Sequence, residues 1–390
     1  MKHDCPKRAK YLSGKRILPK PITKDYSVSD LINNAFNAYN SGRIKDAAEL
    51  IVKEYSKENV TVGMSLAGAL TPAGMASSVI PLIEHGYVDW IVATGANMYH
   101  DMHYPFNLPL YEGSPNVDDV DLREVGVTRI YDVLFDYENV LMETDRRLRK
   151  ILTRKEFQKE MGTQEFYYRL GRILDETEKE NKIGKVSILA AAYRAGVPVF
   201  TSSPGDSTIG MNVAGLEVLS DKFKMRINPS IDVNESTAII LDSKVYQKGR
   251  TAVILVGGGS PKNFMLQTEP QIQEILRIKE VGQDYFIQIT DARVDTGGLS
   301  GATPKEAVTW GKIDPDEVEK SVIVYTDSTI ALPLITSYVM QNTEPKKLKR
   351  LYDQREELMD KLKKSYFENF SETAPDEMKE LEDLLDKNID

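Results

Sequence analysis

Short apolar runs recur along the chain, each closed by glycine or polar residues and followed by a stretch with helical spacing. Val60-Thr61-Val62-Gly63-Met64 precedes a Gly/Ala loop and a helix entered near Pro72, and Val88 to Ala93 runs into Thr94-Gly95-Ala96-Asn97. Similar runs stand at Val197 to Thr201, Thr251 to Val256, Tyr285 to Thr290 and Val322 to Thr326. Runs this apolar are strands buried on both faces, and their alternation with helices predicts an α/β fold. The expected architecture is a Rossmann-like, mainly parallel sheet flanked by helices, with ligands at the C-terminal ends of the strands.

Outside those runs the pattern changes. Residues 1–25 mix Lys, Arg and Pro without periodicity and read as an arm. Two amphipathic segments, Ser29 to Tyr39 and Arg43 to Tyr55, are joined at Ser41-Gly42 and predict a helix hairpin. Tyr137 to Glu180 is charged with helical spacing, which predicts a helical insertion over the sheet. From Pro345 the chain is highly charged, basic up to Lys364 and acidic from Glu372 to Asp390, as in a solvated helix with a frayed tail. The divisions are thus an arm and hairpin over 1–56, one large α/β domain over 57–344, and a charged helical tail over 345–390.

Composition narrows the function classes. No apolar run approaches the ~18 residues of a membrane span, and Met1-Lys2-His3-Asp4-Cys5 lacks a signal-peptide stretch, so the expected location is the cytoplasm. The single cysteine, Cys5, excludes an internal disulfide framework and a Cys-rich zinc site, and its place in the arm argues against a catalytic thiol. A net charge of −9 without a basic stripe argues against nucleic acid and favours cationic small molecules or basic proteins.

Four places carry candidate chemistry. In Glu306-Ala307-Val308-Thr309-Trp310-Gly311-Lys312 an indole stands two residues before a lysine, an arrangement that can desolvate the amine and make it nucleophilic. The same segment also reads as a short helix, opened by Pro304 and closed by Gly311, with a solvated lysine after it. Gly257-Gly258-Gly259, at the end of a strand and before a helix, would let a phosphate approach backbone N–H groups, or would form a plain tight turn. Asp206 and Asp327 follow strand ends, where they serve either a ligand or the local caps and turns. His100-Asp101-Met102-His103 matches no strong metal motif and is read as a pocket wall in which His100 or Asp101 faces a substrate amine.

These residues carry a family resemblance. The Glu306 to Lys312 segment resembles the active-site signature of deoxyhypusine synthases. Gly205-Asp206-Ser207-Thr208-Ile209-Gly210, the glycine triplet and Val324-Tyr325-Thr326-Asp327-Ser328 resemble stretches of that family in the same order, so the resemblance spans Val60 to Met340. It implies an NAD-dependent transfer of an aminobutyl group from a polyamine such as spermidine. Lys312 would form the covalent imine, with Trp310, Asn263, His100, Asp101 and Glu306 at the substrate. Thr94, Gly95, Asp206, Gly257, Gly258, Gly259, Ser300, Asp327 and Ser328 would hold NAD, with Asp206 on its nicotinamide side and Asp327 on its adenosine side.

The resemblance also implies a homotetramer whose sites lie at subunit interfaces under a neighbour's arm. The acceptor would be a lysine of the hypusine-bearing translation factor or, in a homospermidine synthase-type reaction, a free diamine such as putrescine. Against the eukaryotic enzymes, Met211 and Leu299 stand in place of acids, Asn263 in place of a histidine, and His100 in place of a glutamate. Two rival readings are a non-catalytic nucleotide- or polyamine-binding protein and a metal-dependent amine hydrolase using His100, Asp101 and His103.

Overall fold

A computed structural model of the chain describes residues 6–389; His3 and Cys5 lie outside the described residues. Each of the six apolar runs becomes one strand: β1 (Val60–Leu66), β2 (Trp90–Ala93), β3 (Val199–Thr201), β4 (Arg250–Val256), β5 (Tyr285–Ile289) and β6 (Ser321–Val324). All pairings between them are parallel, in the order β6-β5-β4-β1-β2-β3. The chain moves outward from β1 to β3, then starts again on the other side of β1 and moves outward to β6. This is the doubly wound order, and it opens a crevice where β1 and β4 part company at their C-terminal ends.

Side chains alternate between two apolar layers. Val62, Met64, Ile91, Ile254 and Ile287 belong to one, and Trp90, Val92, Val253, Leu255 and Phe286 to the other. Burial on both faces explains why these strands read as continuous apolar runs.

The N-terminal hairpin is present, with its break in another place. The helices are Val28–Ala35, started by a Ser27 capping box, and Tyr39–Leu50, so the turn falls at 36–38 and Ser41-Gly42 lies inside the second helix. The 137–180 stretch is largely helical, with helices Glu143–Leu152 and Thr163–Asn181, and a three-stranded antiparallel sheet precedes it.

The segment after residue 344 is more integrated than its charge suggests. Leu351, Leu358 and Leu362 are buried, the Lys346 amine donates to Tyr55 O (2.9 Å) and Val60 O (3.2 Å), and Lys361 pairs with the buried Asp242 at 2.7 Å. Leu351 from the turn Leu351–Gln354 and Leu358 and Leu362 from helix Arg355–Thr373 make a stripe laid against the domain, and the surrounding charges mask it in the sequence. Helix Pro375–Ile389 is the part whose described side chains, apart from half-buried Met378, are exposed. No helix among the described residues is long and apolar enough to cross a membrane.

Candidate active site

The loops at the C-terminal edge of the sheet are tied to one another. After β1, the Gly68 carbonyl accepts from Thr94 Oγ1 (2.6 Å), while buried Asn97 accepts from the Leu70 and Thr71 amides and has its Nδ2 within reach of the Leu66, Ala67 and Gly68 carbonyls. Gly95, after β2, abuts Ser207, after β3; a Cβ at Gly95 would lie 2.4 Å from Ser207 Oγ. Ser202, after β3, meets Ser260, after β4, at 2.8 Å.

The glycine triplet follows β4 at the crevice. Gly257 and Gly259 have φ of 79° and 57°, a region that non-glycine residues rarely enter. A Cβ at Gly258 would lie 2.4 Å from Ser300 Cα, and Ser300 Oγ accepts from the Gly259 amide at 2.9 Å. Nothing lies within 4 Å of the place where a Gly259 Cβ would be. The turn is thus held from one side by Ser300 and open at Gly259, where helix Gly259–Leu266 begins.

Lys312 is placed by backbone geometry. Thr303 caps helix Pro304–Val308 by accepting from the Glu306 amide, and Pro304 occupies its first turn. The helix ends in a Schellman motif: the Lys312 amide donates to Ala307 O and the Gly311 amide to Val308 O, both at 3.0 Å, with Gly311 at φ 65°. A Cβ at Gly311 would collide with Gln273 Oε1, whose Nε2 donates to Gly311 O at 2.7 Å. The Lys312 carbonyl accepts from the Gln283 amide at 3.0 Å, which fixes the residue beside β5.

From there the Lys312 amine enters a cavity of about 360 Å³ lined by Lys262, Asn263, Phe286, Leu299, Glu306 and Trp310, among others. It donates to Asn263 Oδ1 at 2.9 Å and lies 5.8 Å from the centre of the Trp310 ring. Trp310 is 59% exposed, a large aromatic surface at the cavity. Partial burial lowers the proton affinity of Lys312, against the pull of the Glu274 and Glu306 carboxylates. The cavity therefore unites Asn263, Glu306, Trp310 and Lys312, and sets Ser300, next to Leu299, between it and the glycine turn.

Sequence reasoning gives no role to Lys262, Glu274, Phe286 or Gln288. Lys262 stands three residues after the glycine triplet, but its burial depends on β5, which supplies Phe286 and Gln288 from far along the chain. Glu274 lies on the turn Gln271–Ile275, which carries no recognisable motif.

The other candidates fall elsewhere. His100 Nδ1 meets His103 Nε2 at 2.9 Å, and His103 Nδ1 meets Thr144 Oγ1 at 2.8 Å. Burial pushes the two imidazoles down to about 4 and about 3, so both are neutral. Asp101 does not face a pocket, in contrast to its expected place at the substrate. It is fully buried and accepts from Ser187 Oγ and the Ile188 and Leu189 amides, capping helix Ile188–Ala195. Burial raises its carboxyl to about 6. With both Asp101 oxygens committed and the histidines bonded to each other, the three side chains do not converge as a ligand set, and the hydrolase reading loses its site.

Asp206 is exposed on the loop after β3, and Ser207 rather than Asp206 caps helix Thr208–Leu219. Asp327, also exposed, caps helix Ser328–Asn342 by accepting from the Thr329 amide at 2.7 Å. Met211 is 63% exposed on helix Thr208–Leu219 and does not line the Lys312 cavity.

Comparisons with known proteins agree with the signature around Lys312. Residues 30–339 match the profile of the family described as "Deoxyhypusine synthase". A protein of Nostoc sp. described as "Deoxyhypusine synthase-like protein" is 55% identical over 359 residues, which cover 92% of each chain. A Methanosarcina acetivorans protein described as "Probable deoxyhypusine synthase 2" is 37% identical over 335 residues, 84% of this chain and 90% of that one. A crystal structure of "a putative deoxyhypusine synthase from Entamoeba histolytica" shares the fold at a TM-score of 0.52 and 15% identity, over 84% of this chain and 97% of that one. On the extent of the family match and the identity of these relatives, the chain belongs to the deoxyhypusine synthase family.

Proposed function

We propose that the chain transfers an aminobutyl group from a spermidine-like polyamine to an acceptor amine, holding the group as an imine on Lys312. The observation that carries this reading is the Lys312 amine itself: half-buried, aimed by Asn263, beside the Trp310 ring, in a cavity next to the glycine turn. A lysine past a helix end is ordinarily solvated, whereas this one is drawn inward and its ammonium form disfavoured.

The residues present fit a dinucleotide. The switch-point crevice, the positive φ of Gly257 and Gly259 and the open space at Gly259 leave room for a phosphate against the helix N-terminus. Gly257, Gly258, Gly259, Ser300, Thr94, Gly95, Asp206, Asp327 and Ser328 are the residues that would hold NAD, which would take a hydride from the carbon beside the donor's secondary amine and later return it.

On the protein's side, Lys312 attacks the resulting donor imine and forms a bond to its carbon. The carbon–nitrogen bond to the three-carbon amine breaks, diaminopropane leaves with the proton, and the four-carbon fragment stays on Lys312. An acceptor amine then attacks the same carbon and frees Lys312. Trp310 offers its π-face to the fragment's ammonium, and Glu306 and Glu274 balance positive charge in the cavity. Apolar walls from Phe286, Leu299 and Leu266 limit water, which would otherwise hydrolyse the imine.

The acceptor is a lysine of the hypusine-bearing translation factor or a free diamine. The exposed Leu12, Ile17, Leu18 and Ile22 of the arm suit it to cover a neighbouring subunit in a homotetramer. The test is borohydride trapping with labelled spermidine and NAD. Label should appear on Lys312 and vanish in Lys312→Ala, which should still bind NAD; undiminished transfer by that variant would refute the reading.

A further inference from the structure

A second cavity adjoins the one that Lys312 enters. Its volume is about 510 Å³, and Asn263, Gln267, Pro270, Glu274 and Leu299 line both. Helix Gly259–Leu266 serves the two with different positions: Lys262 and Leu266 line the Lys312 cavity, and Ser260 and Phe264 the second. Another wall of the second cavity is helix Pro229–Leu241, through Val233, Ser236 and Thr237, three and four residues apart on one helix face. The turn Gln271–Ile275 adds Gln271, Glu274 and Ile275.

The two cavities differ in charge. Lys262, Glu274, Glu306 and Lys312 all line the first, whereas Glu274 is the one charged side chain lining the second among the described residues. The hydroxyls of Ser202 and Ser260 meet each other at 2.8 Å, and Ser236 Oγ donates to Val233 O at 3.1 Å. The Glu274 carboxylate is exposed, and among the described residues no hydrogen bond or ion pair engages it. A groove with apolar and neutral walls and one free carboxylate suits a chain of methylenes that ends in one ammonium. Transfer through Lys312 needs a place for such a chain, because two amines meet at one carbon. The four-carbon fragment stays, with its ammonium at Trp310, while the other amine is exchanged: diaminopropane leaves and the acceptor arrives. A diamine acceptor repeats the departing chain, with an ammonium at its far end, where a protein lysine carries a peptide.

We propose that the second cavity receives the exchanged amine and that its occupant is a short α,ω-diamine, whose far ammonium rests on Glu274 and whose near amine reaches past Asn263 to the carbon held on Lys312. Asn263 is suited to that place, since it lines both cavities and bonds the Lys312 amine at 2.9 Å. The incoming nitrogen bonds to the carbon, the carbon–nitrogen bond to Lys312 breaks, and the two protons of the incoming amine pass to the Lys312 nitrogen. The inference rests on transfer through Lys312, and it makes a free diamine the acceptor.

The experiment supplies the full chain with spermidine, NAD and either putrescine or butylamine, which differ by one ammonium, and compares kcat/KM for the two acceptors. The native chain should favour putrescine by about fivefold, the scale of one ammonium on a partly exposed carboxylate. Glu274→Gln should erase that preference and Glu274→Asp should keep most of it. A loss of folded protein would lower both amines together and leave their ratio in place. Val233 lines the second cavity and not the first, so Val233→Trp, which narrows it, should raise the KM for putrescine. Equal use of both amines by the native chain, a preference that survives Glu274→Gln, or an unchanged KM in Val233→Trp overturns the inference. Transfer to the translation-factor lysine with neither free amine accepted also overturns it, and leaves the imine reading standing where borohydride still traps label on Lys312. No label on native Lys312 overturns both.

Discussion

The Lys312 amine and the Asn263 side-chain carbonyl meet at 2.9 Å across two elements that share no sequence neighbourhood. Asn263 stands on the helix that starts at the glycine turn, and Lys312 follows the Schellman motif of the short helix beyond Ser300. One hydrogen bond thus ties the proposed nucleophile to the same helix whose N-terminus faces the proposed cofactor.

That contact should be separable from cofactor binding. Asn263→Leu removes the acceptor that aims Lys312, and trapping should slow about tenfold, the scale expected when a reacting group loses its orientation. Asn263→Asp should act differently, because a carboxylate at that distance favours the ammonium form and moves Lys312 reactivity to higher pH. NAD affinity, measured by calorimetry, should be unchanged in both. Equal reactivity profiles in the two variants would show that Asn263 does not control the amine.

The glycines of the triplet should differ in what they tolerate. Gly258→Val would drive a side chain into Ser300 and should lower the melting temperature together with NAD affinity. At Gly259 there is room for a side chain, and the left-handed backbone costs about 1–2 kcal/mol for most residues and least for asparagine. Gly259→Asn should therefore fold with little loss of stability and weaken NAD binding by occupying the open space. Unchanged NAD affinity in a well-folded Gly259→Asn would reduce the triplet to a turn.

A pH effect on stability follows from the histidine pair. Both imidazoles have folded-state values below the ordinary one near 6.5, His100 at about 4 and His103 at about 3. Between those values and 6.5 the unfolded chain binds more protons than the folded one, so stability falls as pH falls through that window. Asp101, raised to about 6, works in the opposite sense from its ordinary 3.8, since there the folded chain holds the extra proton. His103→Gln can still accept from His100 and donate to Thr144 without titrating. Urea melts from pH 4 to 6.5 should show a pH slope smaller by about one proton in that variant. An unchanged slope would mean that His103 ionises freely in the folded protein.

Much of this arrangement is legible in the sequence where local pattern and tertiary role coincide. The strands stand out because those buried on both faces are mostly apolar, with the edge strand β6 only partly buried, and the Lys312 helix because Pro304 and Gly311 punctuate it. Asp101 misleads for the same reason that it is informative. A carboxylate after a strand end has the look of a ligand-binding group, and only the fold shows that it caps a helix eighty-seven residues on, through Ile188. Lys262 and Glu274 are hidden because their chemistry comes from neighbours that β5 and the Gln271–Ile275 turn bring in. The stripe of Leu351, Leu358 and Leu362 is hidden because charged residues outnumber it.

Substrate preference should be set by Leu299 before Met211. Leu299 lines the Lys312 cavity, where Lys262 and Lys312 already stand with Glu274 and Glu306, and a polyamine would add positive charge. Burying that charge without another carboxylate costs binding energy, so the natural protein should use spermidine with a high KM. Leu299→Asp should lower that KM, and it should also slow imine formation at neutral pH, because the added charge favours the Lys312 ammonium. Met211 is exposed and away from this cavity within one chain, so Met211→Asp should leave the KM alone unless a second subunit brings the helix Thr208–Leu219 to the site. Turnover of spermidine, with the translation-factor lysine or with putrescine as acceptor, measured in each single variant and across a dilution series, separates these effects. A KM that falls in Met211→Asp at high protein concentration and recovers on dilution would place Met211 at a shared site. A Leu299→Asp variant with unchanged KM would show that the donor's ammonium groups bind beyond the reach of Leu299.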